Sequence, residues 1–276
     1  MASLVGSRVE RKEDKKLLTG RGKYTADVNF VNQTFAYFVR SPHARAQIKK
    51  IDTAKAIKSP GVVTVLTGAD IVNDKIGGLI AGWRIKSEDG SDMKVPAHPP
   101  LASDTVNYVG DHVAVVIAES LDEARNAAEL VKVDYKILKA VVDTKDAMNA
   151  DQIYKDIPKN LCFDWLLGDR AKVKEAFEKA DKVIKIDLIN NRLVPNAMEP
   201  RAANADYNPS TEEITLYTTS QNPHLARIII SAFNGVAPEN KLRVIAPDVG
   251  GGFGSKIYPY SEEVVCSWAA KKIERP

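Results

Sequence analysis

The amino-acid sequence predicts a mixed protein in which an α+β domain is followed by an α/β domain. Its 276 residues suffice for one large domain or two ordinary ones. In the first half, short runs of β-branched and aromatic residues alternate with short helical patterns. In the second half, two predicted strands each lead directly into a predicted helix. With 44% hydrophobic and 27% charged residues, the chain can bury a substantial core.

The first elements are short strands separated by turns. Runs rich in β-branched and aromatic residues predict strands at residues 34–40, 46–52 and 62–66. One or two helical turns are predicted at residues 53–58, and the Pro60-Gly61 pair indicates a turn before the third strand. Residues 73–104 are rich in Gly, Asp, Ser and Pro. We expect them to form a long irregular excursion, which in a compact domain tends to be functional or to form an interface.

A strand, a capped helix and a second strand complete the first half. The strand is predicted at residues 112–118 and the helix runs from Ser120 to about residue 130. Ser120 and Glu123 form a capping box, in which the serine hydroxyl bonds the amide of Glu123 and the glutamate reaches back. The next strand is predicted at residues 131–135. We interpret these elements as a β-α-β unit that closes a first domain, residues 1–145.

The second domain is predicted to comprise residues 146–276 and to begin with a polar linker. The pattern after the linker predicts a short helix at 172–179, a strand at 182–189 and a hairpin of strands 202–207 and 214–219. A last helix is predicted at about residues 261–272. Its apolar face has no following strand to cover it, so we expect four side chains to be exposed: Tyr260, Val264, Val265 and Trp268.

Gln221 lies at the first of two junctions that indicate function. A strand ends before it, and a helix begins after it with Asn222 as the N-cap and Pro223 at the first helical position. Open α/β layers commonly bind ligands at the edge where strands end and helices begin. The amide side chain of Gln221 can donate and accept hydrogen bonds there. The following helix is expected to present one apolar face formed by Leu225, Ile228, Ile229, Ala232 and Phe233.

The second junction is a glycine-rich loop between a strand at residues 241–246 and the last helix. Four of the five residues from 250 to 254 are glycine, which is costly in backbone entropy. Such a loop persists where the backbone needs a positive φ or where a ligand approaches the main-chain amides. Consecutive exposed N–H groups suit phosphate or polar oxo groups. A tight loop without a ligand is the alternative reading of the same composition.

Two phosphate-binding motifs fail in this loop. The pattern GxxxxGK[ST] meets Ser255 at its second glycine, and Ile257 follows Lys256. The dinucleotide pattern GxGxxG begins with Gly250 and Gly252 and then meets Ser255. A nucleotide-binding protein is therefore a weak reading of the loop.

Composition and charge exclude several other classes. A net charge of +3 argues against nucleic acid or an anionic membrane as a partner. No apolar run approaches the roughly 20 residues of a membrane span, and residues 1–6 lack a secretory leader pattern, so we expect a cytoplasmic location. Cys162 and Cys266 form no paired motif, and the four histidines show no metal-ligand spacing. We therefore assign no residue a metal-ligating role.

The sequence of the glycine-rich loop, residues 250–256, closely resembles the GGGFG-x-K loop of the xanthine dehydrogenase/aldehyde oxidase family of molybdenum hydroxylases. The resemblance covers essentially the whole chain, and its other pieces are residues 20–28, 40–44, 108–111, 198–201, 219–223 and 244–248. It implies an a/b hammerhead domain followed by an incomplete molybdopterin-binding α/β domain. The sequence around the loop is similar to that of the large chain of the carbon-monoxide-dehydrogenase type.

The resemblance also implies a cofactor site. In the family, backbone amides of the Phe-Gly step bond the molybdenum–pterin unit, which places Phe253 and Gly254, with the adjacent Gly252, at the cofactor. Gln221 matches the glutamine that approaches an oxo ligand of molybdenum. The cofactor in bacterial members usually carries a cytosine dinucleotide. The resemblance further implies that a small substrate is hydroxylated with oxygen derived from water, and that iron–sulfur clusters and FAD are carried on two partner subunits.

Two departures limit the resemblance. Xanthine-type members have a glutamate after the loop lysine, where this chain has Ile257, so purine hydroxylation is not expected. Large subunits of the family continue for several hundred residues and carry their catalytic glutamate near the C-terminus. We therefore assign no catalytic residue here, and we expect this chain to need the remainder of the large subunit for turnover. The alternative reading is a non-catalytic binding or assembly module that retains the subunit-contact surface.

Overall fold

A computed structural model describes residues 5–276 of the chain. Residues 1–4 lie outside the described residues. They belong to the N-terminal stretch, residues 1–6, from which a cytoplasmic location was predicted. The described chain begins with an arm that contains helix α1 (Asp14–Leu18) and a single 3-10 turn (Thr25–Asp27). No helix among residues 5–276 is both long enough and apolar enough to cross a membrane.

Two three-stranded antiparallel sheets form the first half of the protein. In one sheet, β5 (His112–Ala118) lies between β1 (Phe35–Arg40) and β3 (Val62–Thr67). Every residue of β5 is buried, because an unbroken apolar run can be accommodated only at the centre of a covered sheet. The other sheet has the order β4 (Thr105–Val106), β2 (Ala46–Asp52) and β6 (Lys132–Ile137).

The helices of the first half are short and lie between these strands. They are α2 (Ala54–Ile57), α3 (Gly68–Asn73) and α4 (Leu121–Ala128). Ser120 caps α4 as predicted, since its Oγ accepts the N–H of Glu123 at 3.3 Å and donates to Glu123 Oε2 at 2.8 Å. The β-α-β interpretation was wrong. The strands on either side of α4 belong to different sheets. The second of them, β6, is half-exposed and pairs with β2 at the edge of the other sheet.

The second half contains one mixed sheet with helices on it. Strands β7 (Ala203–Asn208) and β8 (Glu213–Thr218) form the predicted hairpin, and β9 (Leu242–Ile245) runs parallel to β8. Helices α6 (Pro223–Ile228) and α7 (Ser261–Ile273) pack on this sheet, whereas α5 (Arg170–Lys179) buries none of its residues. Asn222 caps α6, since its Oδ1 accepts the N–H of Leu225 at 3.2 Å.

Two local predictions in this half were wrong. Residues 182–189 form no strand and are exposed throughout, because no strand of the described chain lies beside them to complete a ladder. The apolar face predicted after Gln221 is also shifted. The structure buries Ala226, Ile229 and Ile230 and leaves Ile228 and Phe233 exposed. The helix widens to a π-turn over Ile229–Phe233, so the regular helical spacing does not hold there.

The largest of three hydrophobic clusters among the described residues contains residues of both halves. Leu66, Ile71, Leu101, Val115 and Ile117 from the first half pack in one cluster with Ile214, Leu216, Val264, Val265 and Trp268 from the second. The expectation of an exposed apolar face on α7 was therefore wrong for three of its four side chains. Val264 and Val265 are fully buried and Trp268 is 4% exposed, whereas Tyr260 stays exposed. The boundary at residue 145 stays a prediction from the sequence.

The excursion at residues 73–104 is irregular, as predicted, and reaches the second half. The side-chain amide of Asn234 donates to the carbonyls of Gly77 and Gly78 at 3.0 and 2.8 Å. Gly77 lies so close to the main chain of Phe233 that a Cβ atom would be 2.0 Å from its carbonyl oxygen. The excursion is thereby fixed against the turn that follows α6.

Candidate cofactor site

The two predicted junctions lie at the same edge of the second sheet. Strands β8 and β9 are parallel neighbours, with Tyr217 opposite Ile245. Their carboxyl ends therefore meet at one edge, where Gln221 follows β8 and the glycine-rich loop follows β9. The main-chain N–H of Gln221 donates to the carbonyl of Lys256 at 2.8 Å, which joins the junctions directly.

The side chain of Gln221 lies against the loop. Its Oε1 accepts the N–H of Gly254 at 2.9 Å and that of Lys256 at 3.2 Å. A Cβ atom on Gly252 would lie 2.4 Å from this oxygen, so only glycine leaves the glutamine undisturbed. In the described chain, no hydrogen bond from the Nε2 donors of Gln221 is present. The amide thus keeps its donor side available.

The middle of the loop contains a run of main-chain donors without acceptors, of which Phe253 is exposed and Gly252 is buried. Within residues 5–276, the N–H groups of Gly251, Gly252 and Phe253 have no hydrogen-bond acceptor. Gly254 differs from its neighbours, because its N–H already donates to Gln221. The N–H groups of Gly252 and Phe253 are thus unpaired, whereas that of Gly254 would have to exchange its glutamine partner for a ligand. The assignment of Gly252, Phe253, Gly254 and Gln221 to a cofactor stays a prediction.

The loop backbone is strained at these donors. Gly251, Phe253 and Gly254 have φ values of 100°, 51° and 92°. Glycine tolerates a positive φ, but a bulky aromatic residue there is a conformational outlier that costs roughly 1–3 kcal/mol. The side chain of Phe253 is 75% exposed, so packing of the ring does not explain the strain. Strain of this kind is found where a backbone must present its groups in a defined direction.

A buried ion pair anchors the far end of the loop to the start of α7. Arg201 donates to the carbonyl of Ser255 at 2.8 Å and forms a short ion pair with Glu263. Its guanidinium also lies 3.7 Å from the ring centre of Tyr260. Burial raises the pKa of Glu263, against the opposing effect of Arg201. Because Arg201 bridges loop and helix, it limits how far the loop can move.

The N-terminal arm holds the near end of the loop. Asp248 forms an ion pair with Lys16 at 2.5 Å and accepts a hydrogen bond from the main-chain N–H of Lys23 at 2.8 Å. The hydrogen bonds from Lys16 and Lys23 lower the pKa of Asp248. Sequence reasoning assigned no role to Asp248, and the basic stretch at residues 8–23 is interpreted from the sequence as a solvated or subunit-covering arm. The match of residues 20–28 and 244–248 to the same family was the available signal.

Among the described residues, no cysteine or histidine side chain hydrogen-bonds to the loop or to Gln221. Burial raises the pKa of the Cys266 thiol to about 12, and His112 hydrogen-bonds Glu262 at 3.1 Å. Among the residues that the structure describes, no group of three or more His, Cys, Asp or Glu side chains is arranged to hold a metal. The site therefore offers main-chain donors and one amide to a ligand.

Comparison with known proteins identifies the class to which this fold and site belong. Residues 19–139 match the a/b hammerhead domain of aldehyde oxidase and xanthine dehydrogenase, and residues 153–276 match the molybdopterin cofactor-binding domain. The chain belongs to the xanthine dehydrogenase/aldehyde oxidase family of molybdenum-dependent oxidoreductases. The predicted order, a hammerhead domain and then a molybdopterin-binding domain, is confirmed.

Particular relatives are large subunits of such enzymes. The chain is 36% identical to the nicotine 6-hydroxylase large subunit of Paenarthrobacter nicotinovorans, covering 99% of this chain and 33% of the relative. It is also 36% identical to the carbon monoxide dehydrogenase large chain of Afipia carboxidovorans, over 98% of this chain and 33% of the relative. The crystal structure of quinoline 2-oxidoreductase from Pseudomonas putida 86 superposes with a TM-score of 0.86 at 32% identity, covering 98% of this chain and 34% of that one. The chain thus spans about a third of the length of these relatives.

Proposed function

We propose that this chain holds a molybdenum–molybdopterin cofactor as the cofactor-binding segment of a molybdenum hydroxylase large subunit. The observation that carries the proposal is the run of open main-chain donors at Gly252 and Phe253 beside the amide of Gln221. Gly254 joins them when its N–H exchanges Gln221 for the cofactor. The class of the chain supports the proposal, since its second half matches the molybdopterin cofactor-binding domain.

The chemistry of the donor set fits such a cofactor. A pterin-bound molybdenum centre presents oxo groups and ring acceptors, and the unpaired N–H donors of Gly252 and Phe253 can meet them without first breaking a hydrogen bond. The absence of a Cβ atom on Gly252 keeps the approach to these donors open beside Gln221. When bound, the cofactor supplies the oxidation of a small substrate with oxygen derived from water.

The residues of this chain orient that group and stabilise its charge. The N–H groups of Gly252 and Phe253 would donate to acceptors of the cofactor. Gln221 holds the loop through its Oε1, and its Nε2 donors would be available to an oxo group. Because Arg201 and Asp248 tie down the two ends of the loop, the donors lose little entropy on binding.

The proposal extends to the cofactor form, the partner subunits and the location of the whole protein. We propose the cytosine dinucleotide form of the cofactor, iron–sulfur and FAD subunits as partners, and a cytoplasmic location. Turnover on this proposal needs residues beyond the third of the large subunit that the chain matches in its relatives. The purified chain alone is then expected to show no hydroxylase activity with aldehydes, N-heterocycles or carbon monoxide.

The test is to isolate the native complex that contains this chain and to measure its molybdenum and its pterin. We expect both in equal molar amounts. The Gln221→Leu variant should lose most of them. Gln152→Leu is the matched control, because the amide of Gln152 donates only to the nearby carbonyls of Tyr154 and Lys155. Retention of the full cofactor by the Gln221 variant would contradict the role of this side chain.

The same measurement separates the alternatives. A complex without molybdenum and pterin would favour a non-catalytic assembly module. Tight binding of ATP or NAD to the loop, displaced by neither cofactor nor pterin, would favour the nucleotide-binding reading. Either result overturns the proposed function.

A further inference from the structure

Glu199 is a residue of the second half whose role the proposed function does not explain. It lies in an irregular segment just before β7, 51 residues away in sequence from the start of the glycine-rich loop. Its side chain is 13% exposed. A carboxylate that is nearly buried is stable only where it is hydrogen-bonded or paired with a cation, so its contacts are informative.

Glu199 contacts the first residue of the loop twice. Its Oε2 accepts the N–H of Gly250 at 2.7 Å, and its own N–H donates to the carbonyl of Gly250 at 3.2 Å. The approach is so close that a Cβ atom on Gly250 would lie 2.5 Å from the Cβ of Glu199. Gly250 is therefore held in place by both its main-chain groups.

Glu199 also contacts the last residue of the loop. The ammonium of Lys256, whose side chain is 2% exposed, donates to the carbonyl of Glu199 at 2.7 Å and lies 3.7 Å from its Oε2. A lysine so deeply buried is positioned by its partners and not by solvent. One residue thus fixes both ends of the loop, while the donors of Gly251 to Phe253 between them stay open.

The second carboxylate oxygen argues against a purely structural role. Glu199 Oε1 is buried and has no hydrogen-bond partner in the described part of the chain. A buried acceptor left unpaired costs stability, which a residue selected only for stability would avoid. From these contacts we infer that Glu199 is a positioning residue, which holds the loop so that its open donors face the cofactor. This inference rests on the proposed function.

Hydrogen–deuterium exchange of the full chain without cofactor tests the positioning directly. Glu199→Ala removes the side-chain acceptor of Gly250 and should raise the exchange of the paired loop amides about tenfold, with little change in β5; these amides are those of Gly250, Gly254, Ser255 and Lys256. Glu199→Gln keeps an acceptor at the same reach and should restore most of the protection. A merely structural role predicts faster exchange throughout the second half and no rescue by glutamine, and that result would overturn the inference.

Gly250→Ala is the second variant if Glu199→Ala does not fold, since its methyl group would push on Glu199 from the loop side. We expect the same local rise in exchange. In the native complex, Glu199→Ala should lower molybdenum content several-fold relative to Glu199→Gln. Unchanged loop exchange in both alanine variants refutes the role of Glu199 whatever the cofactor content. A wild-type complex without molybdenum refutes the proposed function instead.

Discussion

Two strand-to-helix junctions in this protein both use a glutamate in the first helical turn and serve different ends. Glu123 in α4 accepts the hydroxyl of Ser120, whereas Glu263 in α7 accepts the main-chain N–H of Tyr260. At the α4 junction, serine and glutamate satisfy each other locally. At the α7 junction, Glu263 is paired with Arg201, and the loop before it leaves donors open. Consecutive unpaired donors in a loop need an explanation, which on the proposed function is a bound ligand.

The largest expected effect compares the two glutamates. Glu263→Ala leaves Arg201 without its buried partner, so it should lower the free energy of unfolding by about 3–5 kcal/mol. Glu123→Ala removes part of a capping box and should cost only about 0.5–1 kcal/mol. Urea denaturation of both variants measures the difference. Equal decreases in the free energy of unfolding would show that the α7 junction is an ordinary helix start.

Acid should weaken the contact that joins α7 to the first half. Burial opposes ionisation of Glu262, but hydrogen bonds from His112 and Arg40 lower its pKa from 4.5 to about 2. Because the folded pKa is depressed, this stabilisation is present above pH 4.5 and is lost as the pH falls towards 2. We expect Glu262→Gln to be less stable than wild type by about 1–2 kcal/mol at neutral pH.

Unfolding measured between neutral pH and about pH 2 checks this prediction. The gap between wild type and Glu262→Gln should close over the window in which Glu262 takes up its proton. A gap that stays constant with pH would mean that the ionised carboxylate contributes nothing to the contact.

Gly252→Ala should separate stability from binding. The added methyl group meets the end of the flexible Gln221 side chain, which can move away at a cost of about 1 kcal/mol for its lost hydrogen bonds. Cofactor content of the native complex should fall severely, because donors and amide are displaced together. Ser120→Ala, which removes the cap of α4 at a similar cost of about 1 kcal/mol, should leave the cofactor in place. Equal cofactor content in the two variants would remove the distinction between the junctions.

The smallest effect concerns backbone strain. Phe253→Gly should raise the free energy of unfolding by about 0.5 kcal/mol, because relief of the positive φ outweighs the added freedom of the unfolded chain. Phe177→Gly is the control, as Phe177 is also exposed but lies in the regular helix α5. That change should lower stability by about 1 kcal/mol. Thermal unfolding of both variants tests this prediction. A lower free energy of unfolding in both would argue against strain in the loop.

The sequence predicted the elements that local signals define. An unbroken apolar run located β5, and a capping box located the start of α4, since both signals are local. Residues 182–189 carry a comparable β pattern but form no strand, because a ladder needs a neighbour that a local pattern cannot reveal. The assignment of β5 and β6 to different sheets was missed for the same reason.

The site was predictable only in part. The glycine-rich loop and the helix start after Gln221 are local signals, and the parallel pairing of β8 with β9 brings them together. Glu199 and Arg201 are 51 and 62 residues from Gly250 and Glu263, their partners, so no spacing rule could connect them. The buried charges that hold the loop are therefore the part that required a structure.

The most direct test of the central claim is residue-resolved amide exchange of the loop with and without bound molybdopterin. The N–H groups of Gly252 and Phe253 should exchange rapidly in the cofactor-free protein and become protected on binding. The N–H of Glu123 at the α4 junction should be unaffected, because Ser120 already accepts it. Loop amides that exchange at the same rate in both states would contradict the account.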